Sequence, residues 1–458
     1  MPTDLGGAGR TVRMRSRRIA LTSAGVLLAG SLVVAGGAPS YAIDGDECLD
    51  INEVGEPGEN DVTQFAADGS PASALQVAAT QQRVTELTGK VAGDGVTVAV
   101  LDSGVLSTGG LLDVEAGPPA PGASRTRDLV WHQGTLLAGI IAGAPDEGTG
   151  SPVGIAPGAT IYDQRIYDTG ADDDDLTQVD ADALADGLEA IAPRVGRGGI
   201  RIVTIGVRVP ADTPRLRAAV ERVTERGAIV VAASGERTDL DAESPEAVFR
   251  AGEDRAESTW PAGYARSTEE EDAIPGVLSV TTTGAPGDGG EDAAPEGLIL
   301  FSSAIDVAAP SRGAVSIALN GRYCSTYVAS TAVAAAEVSG VLALLMTAYP
   351  KDRREQVITR LEATASGATR VDPATPNTRT GRGVVQPFEA LTRPLSPDRR
   401  GALPFGAPPE REAVPAQLPE AAPDVLASTR DNAVWWGLLG GGALVVLALL
   451  RPVLSRRH

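Results

Sequence analysis

The stretch VAVLDSGV, Val98 to Val105, decides the fold. An apolar run rich in β-branched residues ends on an acid, and Ser103-Gly104 then turns the chain. A run with no polar alternation reads as a strand buried on both faces, which belongs in a parallel sheet covered by helices. Working outward, the same grammar recurs. Strands are expected at Val96–Leu101, Thr160–Ile166, Ile200–Val207, Ala228–Ala233 and Val277–Thr282. Helices are expected at Thr135–Ala142, Leu176–Val195, Pro214–Arg226 and Val328–Ala348. Strands separated by helices predict an α/β fold, a three-layer α/β/α arrangement with a mostly parallel sheet. The Val328–Ala348 segment is apolar nearly all round, so it should run through the core.

Three more short blocks stand out. They are WHQGTLLAG around Gln133, VVAASGE ending at Glu236, and STAVAAAEVSG around Ala332. With Asp102 they follow the order acid, base, oxyanion donor, nucleophile. In order and spacing they resemble the subtilases. The wider layout is most similar to the mycosins, the membrane-anchored subtilases of actinobacterial type VII secretion systems. That resemblance implies a subtilisin-like domain, with Asp102 orienting a base at position 133, an amide donor at 236 and a serine at 332.

The chain departs from that pattern at three corners. The amide of Gln133 has no useful proton affinity near neutral pH. An ionised Glu236 would oppose a developing oxyanion, and losing the donor alone costs about 10²–10³ in turnover. Ala332 carries no nucleophilic atom, a loss of about 10⁶ where a subtilisin nucleophile is removed. The chain has two histidines, and His458 falls at its C-terminal end. His132 is thus the candidate displaced base, but it stands one residue early, about 100° round a helix. Ser330 and Thr331 are the neighbouring hydroxyls, with Ser330 read first as a helix cap.

These departures predict a protein that is not an enzyme, a catalytically inactive homologue. By resemblance, its role would be structural or stabilising in a type VII secretion membrane complex. Two alternatives stay open. The old cleft could bind extended peptides by strand addition, or the chain could be a serine endopeptidase with relocated residues, His132 with Ser330 or Thr331. No cofactor and no metal are expected. The Asp172–Asp175 run lacks the alternation of a calcium loop and reads as a solvated loop.

Composition bounds the rest. The net charge is −21, and aromatics make up 3% of residues, so the core must be built from Ala, Val, Leu and Ile. Residues 1–42 and 451–458 are basic, so the body between them is more acidic still, which argues against nucleic acid or anionic lipid as partners. An Arg-rich start, an apolar stretch from Ile19 to about Ala35 and Ser40-Tyr41-Ala42 read as a signal peptide over 1–42. An N-terminal extension at 43–87 precedes the main domain at 88–392. A Pro-rich linker over 393–431 leads to an apolar run at 432–450. Trp435 and Trp436 lie on one side of that run and Arg451, Arg456 and Arg457 on the other. This reads as a single transmembrane helix, with the main domain outside the cell membrane and 451–458 as a cytoplasmic tail. Two cysteines in an exported chain suggest one disulfide, Cys48 with Cys324.

Overall fold

The computed structural model describes residues 48, 51, 54, 70–121, 123, 129–168, 179–236, 254–256, 259–265, 273–283, 299–326, 329–366, 377–403 and 427–454. Residues 1–42, where a signal peptide is expected, Asp172–Asp175 and residues 455–458 lie outside them. The chain divides into two compact units, Met1–Leu403 and Pro404–His458.

In the first unit the strands are β1 (Thr97–Asp102), β2 (Val114–Ala116), β3 (Thr160–Arg165), β4 (Ile200–Ile205), β5 (Ile229–Ala233), β6 (Val277–Thr282) and β7 (Val307–Ala309). They form one sheet in the order β2-β3-β1-β4-β5-β6-β7. Every neighbouring pair in it is parallel. A small antiparallel pair, β8 (Val315–Ile317) and β9 (Tyr323–Ser325), stands apart. The three-residue strands β2, β7, β8 and β9 carry too few residues for a periodic signal, so the sequence pattern missed them.

The helices are α1 (Pro71–Ala74), α2 (Val77–Thr88), α3 (Gln133–Ala142), α4 (Ala181–Ile191), α5 (Pro214–Glu225), α6 (Thr331–Ala348), α7 (Arg354–Thr364) and α8 (Pro387–Thr392). Side chains of β1 alternate between two cores. Val98 and Val100 pack with Leu137, Ile141, Val338 and Leu342 of α3 and α6. Ala99 and Leu101 pack with Leu184, Leu188, Leu216 and Val220 of α4 and α5. The sheet therefore lies between two helical layers, as a strand apolar at every position requires. Helix α6 is buried along almost its whole length, which is why it needs no polar face.

Three boundaries differ from expectation. The helix predicted over Leu176–Val195 is α4 at Ala181–Ile191, starting where the Asp180 carboxylate accepts from the Ala183 N–H at 2.7 Å, and ending in a 3₁₀ turn, Ala192–Arg194. The cap sets the start. The N-terminal extension, expected to end at 87 before the main domain, shares that domain's core, because Val77 and Val84 of α2 lie in the same core as α6. The linker expected from 393 is folded as far as Leu403. Its carbonyls at Leu395, Pro397 and Gly401 accept from Arg360, Gln356 and Thr359 of α7. Cys48 and Cys324 are joined by a disulfide with Cα atoms 5.1 Å apart, tying the extension to β9.

The second unit contains α9 (Ala427–Leu454), a helix of 28 residues with an apolar stretch at Ala433–Leu449. Its large apolar side chains, Trp435 and Trp436 among them, are exposed.

Candidate active site

The strand order places β1 beside β4 at the point where the chain switches direction across the sheet: β2 and β3 lie to one side, β5, β6 and β7 to the other. Ligands of open α/β sheets bind in the crevice outside the carboxyl ends of the strands at such a point. Asp102 ends β1, Gly206 follows β4, and Glu236 lies three residues past β5.

Block one and block two are locked together. Ser103 Oγ accepts from the Gly134 N–H at 3.1 Å and donates to the Trp131 carbonyl at 3.2 Å. Thr135 Oγ1 accepts from the Leu106 N–H at 2.9 Å. A Cβ on Gly134 would stand 2.3 Å from the Gly104 carbonyl oxygen, so only glycine lets α3 begin this close to the end of β1. This closeness carries Gln133, the first residue of α3, onto Asp102.

Asp102 is fully buried. Its Oδ1 accepts from the Ser103 N–H at 2.8 Å and from Tyr167 Oη at 2.7 Å. Its Oδ2 accepts from Gln133 Nε2 at 3.1 Å, and the same amide donates to the Gly206 carbonyl at 3.2 Å. Burial pushes the Asp102 carboxyl up to about 6, and the hydrogen bonds only partly oppose that. Sequence reasoning missed Tyr167. The pairing of Asp102 with Arg165 in the β1–β3 register places Tyr167 just beyond the strand end, a signal that exists only once the register is known.

His132 is the N-cap residue of α3. It is buried, its ring lies 4.7 Å from the Trp131 ring, and burial lowers its imidazole to about 4. At neutral pH the ring is uncharged.

The other two corners meet at the start of α6. Ser330 is the N-cap, its Oγ accepting from the Ala332 N–H at 3.2 Å. Glu236 Oε1 accepts from Ser330 Oγ at 3.1 Å, from the Thr331 N–H at 3.1 Å and from Thr331 Oγ1 at 3.3 Å. A carboxylate there faces the positive end of the helix dipole. Desolvation still raises the Glu236 carboxyl above the usual range. Gln133, Glu236, Ser330 and Ala332 line one cavity of about 190 Å³, walled by Leu136, Leu137 and Val333. His132 is not among its lining residues. Among the described residues no cluster of three or more His, Cys, Asp or Glu could hold a metal.

A parallel sheet between two helical layers, with an acid at the switch point and a cleft at the strand ends, defines a three-layer α/β protein with its site at the carboxyl ends of the strands. The subtilase family profile matches residues 93–383, and the chain belongs to the subtilase family. It is similar to Mycosin-1 of Mycobacterium tuberculosis, 30% identical over 393 residues, covering 80% of this chain and 82% of that one. Its fold is similar to that of MycP3 protease from the type VII (ESX-3) secretion system, at 25% identity and a TM-score of 0.52, covering 71% of this chain and 89% of that one. A chain of the intact ESX-5 inner membrane complex shares the fold at 23% identity and a TM-score of 0.54, over 87% of this chain and 94% of that one.

These likenesses correct one expectation. The chain was expected not to be an enzyme, yet it belongs to a protease family and its fold neighbour MycP3 is a protease. Residue changes at three corners do not take a chain out of an enzyme family. They do ask which of its own groups could carry the chemistry.

Proposed function

We propose that this chain is a mycosin-type, membrane-anchored component of a type VII secretion inner-membrane assembly, and that its cleft grips an extended peptide segment. The observation that carries the reading is the cleft at the strand ends, where Leu136, Leu137 and Val333 form apolar walls beside a single carboxylate, Glu236. Such a pocket suits a side chain with an apolar stem and a basic or amide head. The likenesses to Mycosin-1 and to a chain of the ESX-5 complex support the setting. In this reading 1–42 is a signal peptide, 432–450 crosses the membrane, the main domain lies outside, and 451–458 remains in the cytoplasm. The 17 residues of Ala433–Leu449 extend about 26 Å as a helix, close to the bilayer core thickness. Affinity purification of the tagged full chain from its native membrane should recover secretion-channel subunits, and their absence would sink the assembly role. A fluorescent Arg-containing peptide should bind the full chain in detergent and bind at least tenfold more weakly to Glu236→Gln. Equal binding would remove Glu236 from the cleft's role.

One observation favours a second reading, hydrolysis. Ser330 Oγ donates to Glu236 Oε1 at 3.1 Å on the wall of the cavity, the reach required between a nucleophile and its base. Ala332 offers no such atom, and His132 is held elsewhere, against Trp131. The raised proton affinity of Glu236 makes it a stronger base than an ordinary carboxylate. A fluorophosphonate probe should then label the full chain, with labelling lost in Ser330→Ala and Glu236→Gln but kept in His132→Ala. A chain that stays unlabelled sinks this reading and leaves the first standing.

A further inference from the structure

At the opposite ends of the strands, where the chain enters β4 and β5, lies a second cavity of about 260 Å³. Arg197 and Arg201 reach it from the start of β4, Arg226 from the C-cap of α5, and Arg353 and Arg354 from the start of α7. Three carboxylates also line it, and two of them are engaged. Glu355 accepts from Arg354 at 2.7 Å, and Asp352 accepts from Arg360 at 2.8 Å. Arg354 is further fixed by the Thr224 carbonyl. No hydrogen bond or ion pair engages the guanidinium groups of Arg197, Arg201, Arg226 and Arg353 among the described residues. Glu225 is the remaining carboxylate of the rim, so the cavity is net positive.

That arrangement is unexpected in this chain. Acids outnumber bases 60 to 39, so a guanidinium seldom lacks a neighbour to pair with. Burial, with the charge of Arg197 beside it as the smaller cause, lowers the Arg201 guanidinium below its usual range. The helix adds to the field. Its N-cap residue is Arg353, whose side chain has no acceptor to offer the first turn. The Arg353 N–H is capped by Gln356 Oε1 at 3.0 Å, and the positive end of the helix dipole lies at the residues that line the cavity.

We propose that this cavity is an oxyanion site, taking a phosphate or carboxylate group on a free ion or on an acidic peptide segment. Several guanidinium forks around one concavity are what planar, bidentate recognition of such groups uses. It lies at the other end of β4 and β5 from Gly206 and Glu236, so it stands or falls independently of the cleft.

The test is calorimetric titration of the full chain in detergent, with inorganic phosphate in one arm and tetraglutamate in the other. Saturable binding in at least one arm is expected, weakening as salt rises. Arg201→Gln with Arg353→Gln should weaken it at least tenfold. The separate pair Arg197→Gln with Arg226→Gln should do the same, and serves if the first pair fails to fold. Phosphate binding supports the site with a free ion as its ligand. Binding of tetraglutamate alone supports it with peptide carboxylates as the ligand. No saturable binding in either arm, or binding unchanged in both pairs, overturns the site.

Discussion

Gln133 Nε2 donates at once to Asp102 Oδ2, at 3.1 Å, and to the Gly206 carbonyl, at 3.2 Å, so one side-chain amide bridges the ends of β1 and β4. It stands where the subtilase pattern places a histidine. Unlike a neutral imidazole, which carries one N–H, the amide carries two. It can therefore satisfy both acceptors of the switch point without titrating.

Removing that bridge should cost stability. Gln133→Leu leaves a buried carboxylate oxygen without its donor, for a loss of about 1–3 kcal/mol. The Asp102 carboxyl, already at about 6, should rise further. Its folded value lies above its ordinary 3.8, so its contribution to stability is present below that value and lost as pH climbs to about 6. In the variant the loss should continue to higher pH. Urea denaturation across pH 4–8 measures both effects, and superimposable curves for the two proteins would refute the bridge's role.

The scaffold should accept the family's usual residues. Gln133→His, Glu236→Asn and Ala332→Ser together place an imidazole on Asp102, an amide donor at the strand end and a hydroxyl at the start of α6. The fluorophosphonate probe should then attach at position 332, located by mass mapping of the labelled peptide, because triad groups act as a unit. Single and double variants should gain far less than the triple. No gain in a folded triple variant would show that the corners are not in register for the reaction.

Glu337 provides a pH test outside the site. It is fully buried in α6, its Oε2 has no hydrogen-bond partner among the described residues, and burial pushes its carboxyl well above the usual range. The folded state therefore holds a proton that the unfolded chain releases above about pH 4.5. Stability should fall as pH rises from there toward the folded value, by up to about 1.4 kcal/mol per pH unit. Glu337→Gln cannot titrate, so guanidinium denaturation at pH 5–8 should show a flatter profile for the variant. Equal slopes would mean that Glu337 is charged in the fold.

The Cys48–Cys324 bond should anchor the N-terminal extension. The two residues are 276 apart in sequence. Replacing both by serine should cost about 2–5 kcal/mol. Because α2 shares a core with α6, the loss should appear as lower protection of Val77–Thr88 in hydrogen exchange, as well as a lower melting temperature. Unchanged exchange in α2 would show that packing alone holds the extension.

Much of the fold was legible because its signals are local. Val98–Leu101 announces a doubly buried strand by having no polar alternation. Pro214 after Thr213 marks the start of α5, where the Thr213 hydroxyl accepts from the Leu216 N–H at 3.1 Å. The short strands β2 and β7 carry no such period, and they exist because the sheet edges accept them.

The site was only half legible. The sequence by itself determined the family's scaffold, the residue at each corner and the pair of cysteines, since motif order and residue chemistry are written in the chain. Only the tertiary structure decided what those residues face. It placed Gln133 rather than His132 on Asp102, brought in Tyr167, and joined Glu236 to Ser330 across 94 residues. It also gathered arginines from three separated segments around one cavity. These pairings depend on strand register and on the close approach of α3 to the end of β1, which are set by packing among segments far apart in sequence.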